Sequence, residues 1–185
     1  MQRMIPKRAP VSRPQSDEYA SYYEKYVSLI PSEDIVGTLE AQRVQMAQLL
    51  AARSEREGNF RYAPGKWAVK EVIGHLADAE RIFAYRLLRI ARGDETPLPG
   101  FEQDGYILPG GFGARTLADV AAEFAAVRMA TMTLVQSLPE EAWKRRGTAS
   151  DSPVTVRAQA YIIAGHEIHH RKILDEKYFP AIPRA

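Results

Sequence analysis

Apolar residues recur at helical spacing in four long stretches of the chain, the pattern of helices that each bury one face. The first stretch opens at Ser32, an N-cap residue with Glu33 and Asp34 in the first turn. It carries Ile35, Val36, Leu39, Met46, Leu49 and Leu50, and Gly58 is its expected stop. The second follows Pro64-Gly65 and runs from Trp67 to Arg92 through Val69, Val72, Ile73, Leu76, Ile82, Phe83, Leu87 and Ile90. The third starts at Thr116, with Asp119 three residues on as in a capping box, and ends before Pro139. The fourth begins at Pro153–Thr155 and reaches Lys177 through Val156, Tyr161, Ile162, Ile163, Ile173 and Leu174. The only β-branched run, Pro153 to Val156, flows into that helix, so no strand is expected. The fold class is all-α, a four-helix bundle.

Residues 93–115 read as one long loop with Pro97, Pro99 and Pro109. Loops of this length inside a compact domain are uncommon and often functional. A second helix of roughly 26 residues is about 39 Å long. A linker of about 23 residues spans that distance at about 3.3 Å per residue. Helices two and three can therefore run parallel, joined by a crossover, which gives up-down-down-up order.

Before the bundle, residues 1–16 hold Arg3, Lys7, Arg8 and Arg13, no acid, and Pro6, Pro10 and Pro14. This basic, Pro-rich segment is read as a flexible arm or one laid over a neighbouring subunit, and residues 17–185 as the single domain. The chain's net charge is +2, and without the arm 21 cations face 23 acids, so nothing in the body marks a nucleic-acid binder. No apolar run approaches a membrane span, and Met1 to Ser16 lacks the core of a secretory signal. The absence of cysteine excludes disulfides, thiolate metal sites and a cysteine nucleophile, and fits a cytoplasmic protein. Between arm and bundle, Asp17 to Leu29 predicts a helical turn or two. Tyr19, Tyr22, Tyr23 and Tyr26 then form a stripe that should bury against the bundle or a second subunit.

The four histidines are the main chemical signal. His166 and His170 stand four residues apart and stack on one helix face, where two imidazoles can chelate one ion. His75 is the only histidine outside the window His166 to His170. It lies about 12 Å from the start of its helix, and His170 about 10 Å from the end of the fourth. These depths coincide when helices two and four are antiparallel, as up-down-down-up order makes them. The bland alternative is that His75 is a satisfied polar core residue. His169, about 60° around the helix from His166, reads as a partly exposed imidazole. The string His166-Glu167-Ile168-His169-His170 also fits the zinc-protease pattern H-E-x-x-H. A protease is discounted because no third ligand follows and no sheet precedes.

Three strings together carry a family resemblance: "YAPGKWAVKEVIGHLADAE" from Tyr62, "LPGFEQDGY" from Leu98 and "GHEIHH" from Gly165. Over residues 35–177 the chain resembles the DinB/YfiT-like superfamily of metalloenzymes. The resemblance implies an up-down-down-up bundle in which His75, His166 and His170 bind one nickel, zinc or similar ion. It also implies a homodimer, and a reaction of the thiol-dependent transferase or hydrolase type. Some members depend on bacillithiol or mycothiol.

Three imidazoles leave coordination positions open, the catalytic rather than the closed structural pattern. Imidazole ligation suits Ni²⁺, Zn²⁺ or Fe²⁺. Without cysteine, any thiolate must come from a low-molecular-weight cosubstrate. Asp78, three residues after His75, would orient an imidazole or pair with Arg81 or Arg86. Asp104 and Tyr106 on the loop are the expected acid–base groups, Tyr106 being favoured by the family-like motif, unless Phe101 and Tyr106 only pin the loop. The resulting expectation is a metal-dependent enzyme acting on a small molecule. A non-catalytic, metal-binding or stress-response dimer is the alternative.

Overall fold

The computed structural model describes residues 11–183. Four long helices, α2 (Ile35–Ala51), α4 (Val69–Ala91), α6 (Leu117–Ser137) and α7 (Val156–Ile173), form the bundle, with the short helix α1 (Glu24–Val27) before them and α3 (Glu55–Gly58) and α5 (Asp104–Gly110) between them. Polar side chains start three of the long helices. Asp34, Thr116 and Thr155 accept hydrogen bonds from the N–H groups of Gly37, Asp119 and Ala158, satisfying donors the first turn leaves free.

Side-chain contacts fix the direction of each helix. Lys70, at the start of α4, donates to the carbonyls of Gly113 and Arg115 just before α6, so α4 and α6 run parallel. Tyr178, beyond α7, donates to the Trp67 carbonyl before α4, so α4 and α7 are antiparallel. Glu55, just after α2, accepts from the Leu117 N–H at the start of α6, which makes that pair antiparallel. Tyr161, early in α7, donates to the Ser32 carbonyl ahead of α2, which makes that pair parallel. This is the up-down-down-up bundle.

The long connection is more structured than a loop. Leu98 pairs with residues 148–150, donating to the Thr148 carbonyl and accepting from the Ser150 N–H. The chain then forms α5 and a 3-10 turn, Phe112–Ala114, before α6. The expectation of no strand also fails. Arg146–Ala149 (β1) and Ser152–Thr155 (β2) pair antiparallel. Ser150 and Asp151 turn the hairpin with φ of 52° and 58°, the positive angles a two-residue hairpin turn needs. The first predicted helix ends early, at Ala51, and Ser54 caps the separate turn α3. The tyrosine stripe is not one helix but two 3-10 turns followed by α1.

That segment packs on the chain's own bundle. Tyr26 is buried, and Tyr23 lies edge-on to Phe83 with ring centres 6.2 Å apart. Gly165 permits the contact: a Cβ there would stand 2.1 Å from the Tyr26 carbonyl oxygen. Residues 11–16 also lie against the bundle, with the Tyr161 hydroxyl sharing its one proton between the Val11 and Ser32 carbonyls and Arg13 donating to that of Val27. The rest of the expected arm, residues 1–10, lies outside the described residues.

The core falls into two apolar halves along the bundle axis. One holds Leu39, Phe83, Leu87, Met132 and Ile162, and the other Met46, Ile73, Leu76, Phe124 and Leu174. On α2, α4 and α6 the division falls near mid-length, and on α7 it falls between Ile168 and Ile173. Six buried polar groups sit near it: Gln42, His75, Glu80, Arg128, His166 and Glu167.

Candidate metal centre

The antiparallel run of α4 and α7 brings three imidazoles together. His75 Nε2 and His170 Nε2 each lie 3.1 Å from His166 Nε2. The ligating atoms of all three fall within 4.8 Å of one another. Rings wall the cluster: Trp67 packs on His75 at 5.0 Å, and Tyr26 and Phe83 pack on His166 at 5.2 and 5.6 Å.

The donor set fits a cation. His166 Nε2 faces both partners, and one N–H cannot serve two acceptors well. Nitrogens bound to one ion at roughly 2.0–2.1 Å stand about 2.9–3.4 Å apart. Burial disfavours protonation at each ring. It lowers His75 to about 4, partly offset by the Asp104 charge, which raises it. It lowers His170 to about 3 and His166 well below the ordinary imidazole value, the neighbouring histidines adding to both. The rings are therefore neutral at pH 7, the form that ligates metals.

The other expected residues divide. Asp104 starts α5 and acts on His75 through its charge. Tyr106 stacks at 5.7 Å on Phe101 and is half-exposed. Asp78 pairs with Arg81 at 3.2 Å, and the charges of Glu123 and Arg115 also act on it. His169 turns out of the cluster, its ring 5.3 Å from Tyr26. Glu167 is buried and accepts from Arg128 at 3.0 Å, so the apparent H-E-x-x-H string does not bring its carboxylate to the imidazoles.

Sequence reasoning missed the layer under the histidines. Arg128 on α6 joins Glu80 of α4 to Glu167 of α7 and also donates to Gln42 of α2. A signal existed. Arg128 is the one charge between Glu123 and Glu140, and it lies four residues beyond Phe124 on the inward face. A lone arginine there is buried rather than solvated.

The DinB superfamily profile matches residues 38–174, most of the chain and all three histidines. The chain belongs to the DinB superfamily. Solved structures agree on the fold. YfiT from Bacillus subtilis, described as a probable metal-dependent hydrolase with an unusual four-helix bundle topology, superposes with a TM-score of 0.70 at 18% identity, covering 90% of this chain and 93% of its own. A mycothiol-dependent maleylpyruvate isomerase superposes with a TM-score of 0.62 at 15% identity, covering 78% of this chain but 61% of the isomerase. A DinB-like protein from Bacillus subtilis gives 0.56 at 21% identity, over 76% of this chain and 86% of its own. No curated protein matches the chain in sequence. Among the described residues, no helix is long and apolar enough to cross a membrane.

Proposed function

We propose that His75, His166 and His170 hold one divalent metal ion, and that this DinB protein is a metal-dependent enzyme of the hydrolase or thiol-dependent transferase type acting on a small molecule. The observation that carries the reading is the convergence of three neutral, largely buried Nε2 atoms within 4.8 Å. The described neighbours of YfiT and isomerase type support it.

Nickel or zinc suits three imidazoles, and iron also fits. The ion supplies a Lewis acid that polarises whatever group coordinates it. The chain's own residues do the rest. Neutral imidazoles leave the charge of the ion uncancelled. Trp67, Tyr26 and Phe83 keep water from the ligand faces. Asp104, whose charge reaches His75, is the better placed of the two expected acid–base groups. Tyr106, the other, guards the loop beside Phe101. Any thiolate is brought by a cosubstrate, because the chain has no cysteine. We place the working form as a homodimer in the cytoplasm, which light scattering and fractionation test.

Metal analysis tests the site. Purified protein should carry about one ion per chain, and His166→Ala should remove most of the affinity. His169→Ala should keep it. Equal metal content in wild type and in a His75→Ala/His166→Ala/His170→Ala variant would refute the site. Turnover of a thiol adduct or ester by the loaded protein, lost in His166→Ala, would establish the enzyme.

A further inference from the structure

Two arginines are buried among the described residues, Arg86 and Arg128. Arg128 has two carboxylates. Arg86, only 2% exposed, has none among the described residues. Its Nη2 donates to the Pro99 carbonyl at 2.6 Å and to Ser150 Oγ at 3.0 Å, tying the α4–α5 connection and the hairpin turn to α4. The faces of Phe83 and Phe101 stand 5.9 and 5.8 Å away. Those two bonds use the protons on one nitrogen. The Nε–H and Nη1 protons meet no protein acceptor among the described residues.

Arg86 also lines a recess of about 310 Å³ between α4 and the connection. Ile82, Leu98 and Phe101 give it apolar walls, and Arg81 and Tyr106 complete the rim. Arg81 is already committed to Asp78 and Glu123. Arg86 is thus the cation of this rim without a protein carboxylate among the described residues. The side-chain atoms buried without a hydrogen-bond partner among the described residues are Arg53 Nε and Glu167 Oε1, so the unbonded donors of Arg86 are open to the recess. The volume lies at the lower end of small-molecule sites, roughly 300–1,000 Å³.

We propose that this recess is a binding site for a small organic carboxylate. The acid group meets the free N–H donors of Arg86, and an aryl or short alkyl body lies against Ile82, Leu98 and Phe101. A guanidinium presents paired donors that match a carboxylate, and apolar walls select against inorganic anions. The site adjoins the imidazoles through Phe101 and Phe83, but it stands on Arg86 and the recess and does not depend on a metal.

Benzoate is the probe, with benzamide as its neutral counterpart, titrated into metal-free and metal-loaded protein while the arginine Nε–Hε resonances are followed by NMR. Saturable benzoate binding should move the Arg86 resonance in both forms, and benzamide should bind at least about tenfold more weakly. Arg86→Met should cost at least about tenfold in benzoate affinity, with Arg86→Lys in between. Should Arg86→Met fail to fold, the wild-type comparison of benzoate with benzamide decides. No saturation at millimolar benzoate, equal binding of benzamide, or an unmoved Arg86 resonance would overturn the proposal.

Discussion

Arg128 meets Glu80 through two parallel hydrogen bonds, Nε to Oε1 and Nη2 to Oε2, each 2.8 Å long, with the arginine wholly buried. The same guanidinium reaches Glu167 from Nη1. Glu80 shares α4 with His75, and Glu167 is the residue after His166. One side chain from α6 thus ties together the two helices that carry the imidazoles. Gln42 extends the tie to α2 and passes it on, donating to the Ala164 carbonyl at 2.8 Å.

Removing the cation alone should be severe. Arg128→Met leaves the buried Glu80 without a partner and Glu167 with only the more distant Arg171 at 3.8 Å, a loss of about 3–5 kcal/mol. Arg128→Met/Glu80→Gln/Glu167→Gln should recover a large part of it, because the charges disappear together. Urea denaturation of the single and triple variants checks this. A triple variant no more stable than Arg128→Met would show that shape, not charge, makes the site costly to change.

Gly165 should resist substitution. An alanine favours a helix interior by about 1 kcal/mol over glycine. Here its Cβ would lie 2.1 Å from the Tyr26 carbonyl oxygen and 2.5 Å from its carbon. The contacted atoms are backbone, so α1 has to move as a unit. Gly165→Ala should destabilise the protein by about 1–3 kcal/mol. It should also weaken metal binding, since Tyr26 packs on His166. Thermal melts with and without Zn²⁺ measure both effects.

Acid should loosen the N-terminal segment through Glu18. Burial raises its pKa, but hydrogen bonds from Arg157, Thr155 and the Gln15 N–H outweigh burial and hold it at about 2, below an ordinary value of 4.5. A depressed carboxylate stabilises the fold above its unfolded pKa, and that contribution is lost as pH falls from about 4.5 through about 2. The amount is on the order of 3 kcal/mol. Glu18→Gln should be less stable than wild type at pH 7, with the gap closing across that window. Denaturation at a series of pH values checks it, and a gap independent of pH would contradict the assignment.

The long helices were legible because each buries one face, and the approach of His75 to His166 and His170 followed from matching depths along antiparallel helices. Other features were hidden for physical reasons. Ser150 and Asp151 adopt positive φ without the glycine or asparagine that usually marks such a turn. Pro109 lies inside α5, so its sequence reads as loop. Asp78 and Glu167 looked alike as carboxylates near histidines. Only the packing shows their partners, Arg81 for one and Arg128 for the other.

The imidazoles should give the metal-free protein a second acid-sensitive range, above that of Glu18. In the unfolded chain each titrates near 6.5, whereas burial lowers folded His75 to about 4 and folded His170 to about 3. Below 6.5 the unfolded chain takes up protons that the folded one refuses, so stability falls as pH drops from about 6.5 toward 4 and levels off once the folded rings protonate. For His75 alone the loss is on the order of 3 kcal/mol at full extent. Metal should add stability at neutral pH, because an ion that binds only the folded site stabilises it by mass action, and protons should progressively defeat that gain as pH falls. The check is a set of denaturation curves from pH 8 to 4 for chelator-stripped wild type, zinc-loaded wild type and His75→Phe/His170→Phe, in which rings that cannot titrate replace two imidazoles. The stripped wild type should lose stability below about 6.5, and the double variant, which keeps the buried His166 and His169, should fall less steeply over the same range. A variant that falls as steeply as wild type between pH 6.5 and 5 would place the acid sensitivity outside the imidazole cluster.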